Sequence, residues 1–175
     1  MVVIGTNLEG LIEQYDLAPK AAFDQFSLTL RLHNVVFVPL KGRRSFVYPI
    51  DESSPFFEQR TLEQNRTLDL KPGETALACS TETIRMPKGY MGFLQTKGSL
   101  ARVMCAVHMN DAQIEPGFVG RITFEVANHA PFPVSIRVGA PVAQLFILSC
   151  SDRETQGYSG RYANSDIPTL FVPKL

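Results

Sequence analysis

The hydrophobic pattern changes period near residue 27. Before it, Leu8, Leu11, Ile12 and Tyr15 recur at helical spacing, and Thr6-Asn7-Leu8-Glu9 has the form of a capping box, a Ser or Thr followed three residues later by Glu. This predicts one short amphipathic helix from Asn7 to Tyr15. From Ser27 onward the period is two. Leu28, Leu30 and Leu32 alternate with Thr29 and Arg31, and Val35 to Val38 run up to Pro39, which predicts two short strands around a turn at His33-Asn34. Lys41 to Arg66 is polar, with Pro49, Pro55 and a Ser-Ser pair, and predicts an irregular surface excursion pinned to the body by Phe46, Phe56 and Phe57. Thr67 to Leu70 alternates again and runs into Lys71-Pro72-Gly73-Glu74, with Pro and Gly where a type II turn places them. Further strands are predicted at Thr75 to Ser80, Thr83 to Met86, Tyr90 to Gln95, Val134 to Val138 and Val142 to Leu148. Many short strands behind a single helix predict an all-β barrel or sandwich.

The stretch from Thr96 to Asn128 concentrates the candidate chemistry. Lys97-Gly98-Ser99 leads into Leu100-Ala101-Arg102, so backbone amides, a hydroxyl and two cations meet at the start of a single helical turn. Free N–H groups at such a start favour an anion. Ile114-Glu115-Pro116-Gly117-Phe118-Val119-Gly120 follows, its Pro-Gly pair predicting a tight hairpin with an aromatic at its tip. Arg121 to Ala127 then alternates, with Ile122, Phe124 and Val126 on one face and Arg121, Thr123 and Glu125 on the other. By itself, a carboxylate on the polar face of a strand is most often only solvated.

Composition narrows the functions available. At 175 residues the chain reads as one domain, with a helical segment over about residues 1–20 and a mobile tail over about residues 152–175. Net charge is zero and Arg43-Arg44 is the only adjacent pair of cations, so no footprint for nucleic acid exists. A small anionic ligand needs only a few placed cations. Cys79, Cys105 and Cys150 are odd in number and widely spaced, which reads as buried thiols of a reducing, cytoplasmic setting. The residues at Met1 to Ile4 are too few for a signal-peptide core, and no apolar run of about 20 residues is present to cross a membrane. His33, His108 and His129 are also far apart, and the His-x-Glu with Pro-Cys-x-x-Cys pattern of zinc deaminases is absent, so a catalytic zinc is not expected.

Taken in order, these motifs resemble the dCTP deaminase and dUTPase superfamily over most of the chain. Phe26 to Leu32 is similar to the family's early strand, and Leu70-Lys71-Pro72-Gly73-Glu74-Thr75-Ala76-Leu77-Ala78 to its L-x-P-G-E-x-x-L-A segment. Lys97 to Arg102 falls on R-S-S-L-A-R, Ile114 to Gly120 on I-D-P-G-W-x-G, and Gly139 to Leu145 on the late G-x-x-I-A/G-Q-L strand. Gly120, Glu125 and Asn128 reproduce the spacing of the deaminase branch, whose glutamate is an apolar residue in the other dUTPases. The resemblance implies an all-β, dUTPase-like distorted barrel of jelly-roll-like topology (a β-clip), assembled as a homotrimer with nucleotide sites between subunits.

It also implies an activity, the conversion of dCTP to dUTP and ammonia in pyrimidine deoxynucleotide synthesis. Glu125 would be the general acid and base, and Arg102 would stabilise the reacting groups. Lys97, Gly98 and Ser99 would contact phosphates, Glu115 the sugar hydroxyl, and Phe118 the deoxyribose. Thr123, Gln144, Tyr158 and Arg161 complete the expected nucleotide-binding set, and Mg²⁺ would ride on the triphosphate. Several positions depart from the family pattern. Gly98 replaces a serine, Lys97 an arginine and Glu115 an aspartate; Asn110 and Asp111 replace a threonine and an alanine, and Ser165 stands where a glutamine is usual. Two other functions stay open: hydrolysis of dUTP to dUMP and pyrophosphate, alone or after deamination, with Glu115 activating water, and a regulatory nucleotide-binding trimer without turnover.

Overall fold

The computed structural model describes residues 1–42, 44–154 and 156–173; Arg43 and the tail residues Thr155, Lys174 and Leu175 lie outside the described residues. The chain runs β1 (Val2–Val3), α1 (Gly5–Tyr15), β2 (Phe23–Asp24), β3 (Ser27–Arg31), β4 (Val35–Pro39), β5 (Phe57–Thr61), β6 (Thr67–Leu70) and β7 (Thr75–Arg85). It continues through β8 (Tyr90–Thr96), α2 (Gly98–Ala101), β9 (Cys105–Ala106), β10 (Gln113–Ile114), β11 (Val119–Asn128), β12 (Val134–Arg137) and β13 (Pro141–Ser149). One sheet has the order β10-β8-β13-β3-β2 with β1 also on β13, a second β5-β4-β7-β11-β9, and β6 pairs with β12. All these pairings are antiparallel. No helix among the described residues is long and apolar enough to cross a membrane.

The alternation seen in the sequence builds the core. Leu28, Leu30 and Leu32, then Ile122, Phe124 and Val126, and Val142, Leu145 and Ile147 are all buried in one cluster, which Leu8, Leu11 and Ile12 of α1 close from the outside. Phe124 is 0% exposed, so the strand that carries Glu125 on its other face is fixed by the core itself. Its last residue ties down the surrounding loops. The Asn128 side-chain amide donates to the carbonyls of Leu70 (2.9 Å) and Phe132 (3.0 Å), and its oxygen accepts the Ala130 N–H (2.9 Å). Asn128→Ala is therefore expected to cost roughly 2–4 kcal/mol, read as a lower urea midpoint, because it strands buried polar groups on three segments.

Five local expectations are corrected. The α1 cap is not the Thr6 capping box: the helix begins at Gly5 behind an extended Ile4, with no side-chain cap bond. Pairing of Val2 and Val3 with β13 fixes the entry of the chain, so Thr6 falls inside the first turn. The strands flanking His33-Asn34 exist but do not pair; β3 belongs to one large sheet and β4 to the other. The stretch from Lys41 to Arg66 contains a strand, β5, whose residues are exposed apart from Phe57, so no alternation announces it. Its aromatics pack as expected, with the Phe46 ring 5.3 Å from Phe56, but also 6.0 Å from Phe171 of the tail.

The two strands expected between Thr75 and Met86 are one, β7, with a register irregularity opposite Arg121 and Thr123. There Glu82 turns inward, 5% exposed, and accepts the Arg31 backbone N–H (2.8 Å) and Nη1 (3.0 Å). Ser80 Oγ donates to the Glu82 carbonyl and accepts the Ile122 N–H. The polar run that reads as a break is a bulge in which the Ser80 and Glu82 side chains are satisfied, while the Arg121 Nε opposite it is buried without a partner among the described residues. Finally, the Pro116-Gly117 turn is not a hairpin tip: β10 pairs with β8 and β11 with β7, so the turn carries the chain from one sheet to the other. Phe118 is buried beside it.

Candidate active site

β11 sets the geometry. Its core face is buried while Arg121, Thr123 and Glu125 line a cavity of about 500 Å³ with Asp111, Glu115, Phe118, Tyr158 and the tail residues Thr169 to Phe171. Glu125 is half-buried there. Its Oε2 accepts the backbone N–H groups of Met109 (2.8 Å) and Asn110 (2.9 Å), while its own N–H donates to the Val107 carbonyl (2.9 Å). Oε1 has no partner and the carboxylate no ion pair among the described residues. One oxygen is thus fixed and the other is left within reach of a ligand or water, a geometry compatible with proton transfer.

The Pro-Gly turn supplies the next wall. The Phe118 N–H donates to the Glu115 carbonyl (3.2 Å), closing a turn in which Gly117 has φ +85°. A Cβ at Gly117 would sit 2.8 Å from Gly157 Cα, so glycine serves both the turn and the close passage of the tail. The Tyr158 N–H donates to the Pro116 carbonyl (2.7 Å), and its ring lies 6.1 Å from that of Phe118. Further along, the tail follows the free edge of β11: the Asn164 N–H donates to Val119, the Arg121 N–H to Ser165, and the Thr169 N–H to Thr123 Oγ1 (3.0 Å). The hydroxyls of Thr123 and Thr169 are 2.9 Å apart, so Thr123 holds the tail over the cavity.

Other expected site residues stand apart from this cavity in the single protomer. Lys97 caps α2, and Gly98, Ser99 and Arg102 follow it there; none of the four lines the cavity around Glu125. A Cβ at Gly98 would meet Arg102 Nη1 at 3.1 Å, so the guanidinium folds back over the turn. Gln144 lies in β13 of the other sheet, donating to Ser27 Oγ (3.2 Å). Arg161 lines a separate groove on the tail with Tyr162 and Ile167. The cysteines stay out of the site. Cys79 is fully buried with its thiol pushed up to about 12 by desolvation, and burial also raises Cys105. The amides of Met109 and Asn110 could not be anticipated, since a backbone donor leaves no mark on residue type.

Residues 5–149 match the dCTP deaminase-like family model. The chain belongs to the dCTP deaminase-like family. It is 32% identical over 136 residues to a dCTP deaminase of Pectobacterium atrosepticum, covering 75% of this chain and 67% of that one. It is 29% identical over 156 residues to a dUMP-forming dCTP deaminase of Dictyoglomus thermophilum, covering 86% and 80%. The fold is similar to the crystal structure of a 2′-deoxycytidine 5′-triphosphate deaminase from Agrobacterium tumefaciens, with a TM-score of 0.65 at 20% identity. That match covers 83% of this chain and 47% of the other, so the chain spans about half the length of the Agrobacterium protein. The family match ends at β13, so the placement of residues 156–173 over the cavity is read from the structure of this dCTP deaminase-like chain itself.

Proposed function

We propose that this chain is a dCTP deaminase, hydrolysing dCTP to dUTP and ammonia with Glu125 as the proton-transferring group and no zinc at the reacting carbon. The observation that carries the reading is the half-buried Glu125 carboxylate, held through Oε2 by two backbone amides at the wall of a cavity large enough for a nucleotide base and sugar. Glu125 takes a proton from water as the water oxygen bonds C4 of cytosine, and passes that proton to N3. The second water proton goes to the exocyclic nitrogen as the C4–N bond breaks, so ammonia leaves and the ring keeps a 4-oxo group. No electron is transferred. Phe118 and Tyr158 pack against the sugar, and Glu115 receives its hydroxyl. Mg²⁺ arrives on the triphosphate as part of the substrate.

The site is completed by a neighbouring copy in a homotrimer. Arg102, Lys97, Gly98 and Ser99 of one protomer serve the Glu125 cavity of the next, with Gln144 and Arg161 as further nucleotide contacts. Two features support this. The α2 turn lies outside its own protomer's cavity, and exposed Val103, Met104 and Phe132 surround it, an apolar surface of the kind that association covers. The free cysteines fit a cytoplasmic setting.

Incubation with dCTP and, separately, dUTP, each with Mg²⁺, tests the reading by following ammonia, dUTP, dUMP and pyrophosphate. Ammonia from a chelator-washed preparation resupplied only with Mg²⁺ is the expected result; tight binding with no product would leave only a regulatory nucleotide-binding trimer. A second step is favoured by Glu115, whose presence in the same cavity gives a carboxylate for activating water at the triphosphate. Pyrophosphate and dUMP report it. Gly98→Ser returns the hydroxyl that the family pattern carries beside Arg102. It is expected to raise the rate of ammonia release by at least about tenfold, since one preorganised donor is worth about 10²- to 10³-fold at such sites. An unchanged rate would mean that Gly98 already suffices.

A further inference from the structure

A second void opens at the same carboxylate. It has a volume of about 220 Å³ and is lined mainly by apolar residues, among them Pro39, Phe57, Leu77 and Met109, together with the polar Thr75, Asn110 and Glu125. Leu77 and Glu125 are register partners on β7 and β11, and both residues line both cavities. Directly opposed side chains of an antiparallel pair stand about 5 Å apart, so a carboxylate and an isobutyl group together form the ridge between the two spaces. A cytosine reacting at C4 presents N3 and its 4-amino group to the carboxylate, and C5 is the ring atom beside C4. With the base in the larger cavity and its N3–C4 edge on Glu125, the C5 position meets Leu77 and faces the smaller void.

We propose that this site accepts cytosine deoxynucleoside triphosphates carrying a small alkyl group at C5, with 5-methyl the simplest, and seats that group against Leu77 at the mouth of the second void. The inference rests on the deaminase reading of Glu125. The reaction balances as it does for dCTP: the water oxygen bonds C4, the C4–N bond breaks, and the two water protons end on N3 and on departing ammonia. The product is the 5-methyluracil deoxynucleoside triphosphate. A void lined mostly by carbon rewards a methyl group, because burying one contributes about 0.8 kcal/mol, or about fourfold in kcat/KM. Six of the nine lining residues are apolar, and Thr75, Asn110 and Glu125 are the polar ones.

The test compares ammonia release from dCTP and 5-methyl-dCTP, each with Mg²⁺, in the wild-type protein and in Met109→Trp. Tryptophan fills the void from its exposed rim and leaves the Met109 backbone donor in place. The expected result is a wild-type kcat/KM for 5-methyl-dCTP at least equal to that for dCTP, with the ratio of the two falling about fourfold or more in Met109→Trp. If Met109→Trp does not fold, Leu77→Ala is read by the same ratio, which falls as the methyl loses its contact. Turnover of dCTP with a lower kcat/KM for 5-methyl-dCTP overturns the inference and leaves the deaminase reading standing. A ratio that neither substitution moves overturns the placement of the methyl group. Release of ammonia from neither substrate overturns both.

Discussion

Glu125→Gln is expected to stop ammonia release from dCTP while nucleotide binding stays nearly intact. The substitution is nearly isosteric, and the amide oxygen can keep the N–H groups of Met109 and Asn110 that Oε2 now accepts, so the loop from Val107 to Ala112 and the core behind β11 stay in place. On the proposed deaminase reading, what the variant lacks is a group able to take a proton from water and return it to N3. Loss of a positioned acid and base costs about 10²- to 10⁴-fold. Ammonia assays give the rate and calorimetric titration with dCTP gives the affinity. Normal turnover by this variant would remove Glu125 from the chemistry and leave the cavity as a binding site alone.

Arg102→Ala carries the second large effect and tests the subunit arrangement directly. Arg102 is exposed and α2 stands outside the cavity of its own protomer, so alanine there leaves the monomer fold untouched. If the guanidinium reaches the neighbour's Glu125, ammonia release falls by about 10²- to 10³-fold, the scale of a lost electrostatic stabiliser. Co-refolding of Arg102→Ala with Glu125→Gln then recovers activity from two inactive proteins. In a ring whose sites each take one residue from adjacent copies, random mixing restores about a quarter of the sites. No recovery, with each variant inactive alone and the mixture confirmed as trimeric, would place both residues in one protomer's site.

Much of this architecture is written in residue types. The alternation of Ile122, Phe124 and Val126 against Arg121, Thr123 and Glu125 became a strand with one core face and one cavity face, because a period of two leaves no other assignment. Lys71-Pro72-Gly73-Glu74 became a turn with Gly73 at φ +75° and the Glu74 N–H on the Lys71 carbonyl. Sheet membership was not legible: nothing around His33-Asn34 or Pro116-Gly117 states whether a reversal closes a hairpin or crosses between sheets, since distant strands decide it. β5 was hidden because a mostly exposed strand shows no alternation. Within the site, Glu115, Phe118, Thr123, Glu125 and Tyr158 come together around one cavity. The α2 residues do not join them in a single copy, and chain periodicity carries no information about a neighbour.

The course of the tail along β11 has a consequence for handling the protein. Asn164, Ser165 and Thr169 occupy backbone and side-chain partners on a strand margin that would otherwise stand open from Val119 to Thr123. An uncovered β margin with its amides unpaired recruits further strands, from another chain when its own has been removed. Preparations clipped by a protease after β13 would then lose solubility before they lose their fold, and sedimentation would detect large species while circular dichroism still reported an intact sheet.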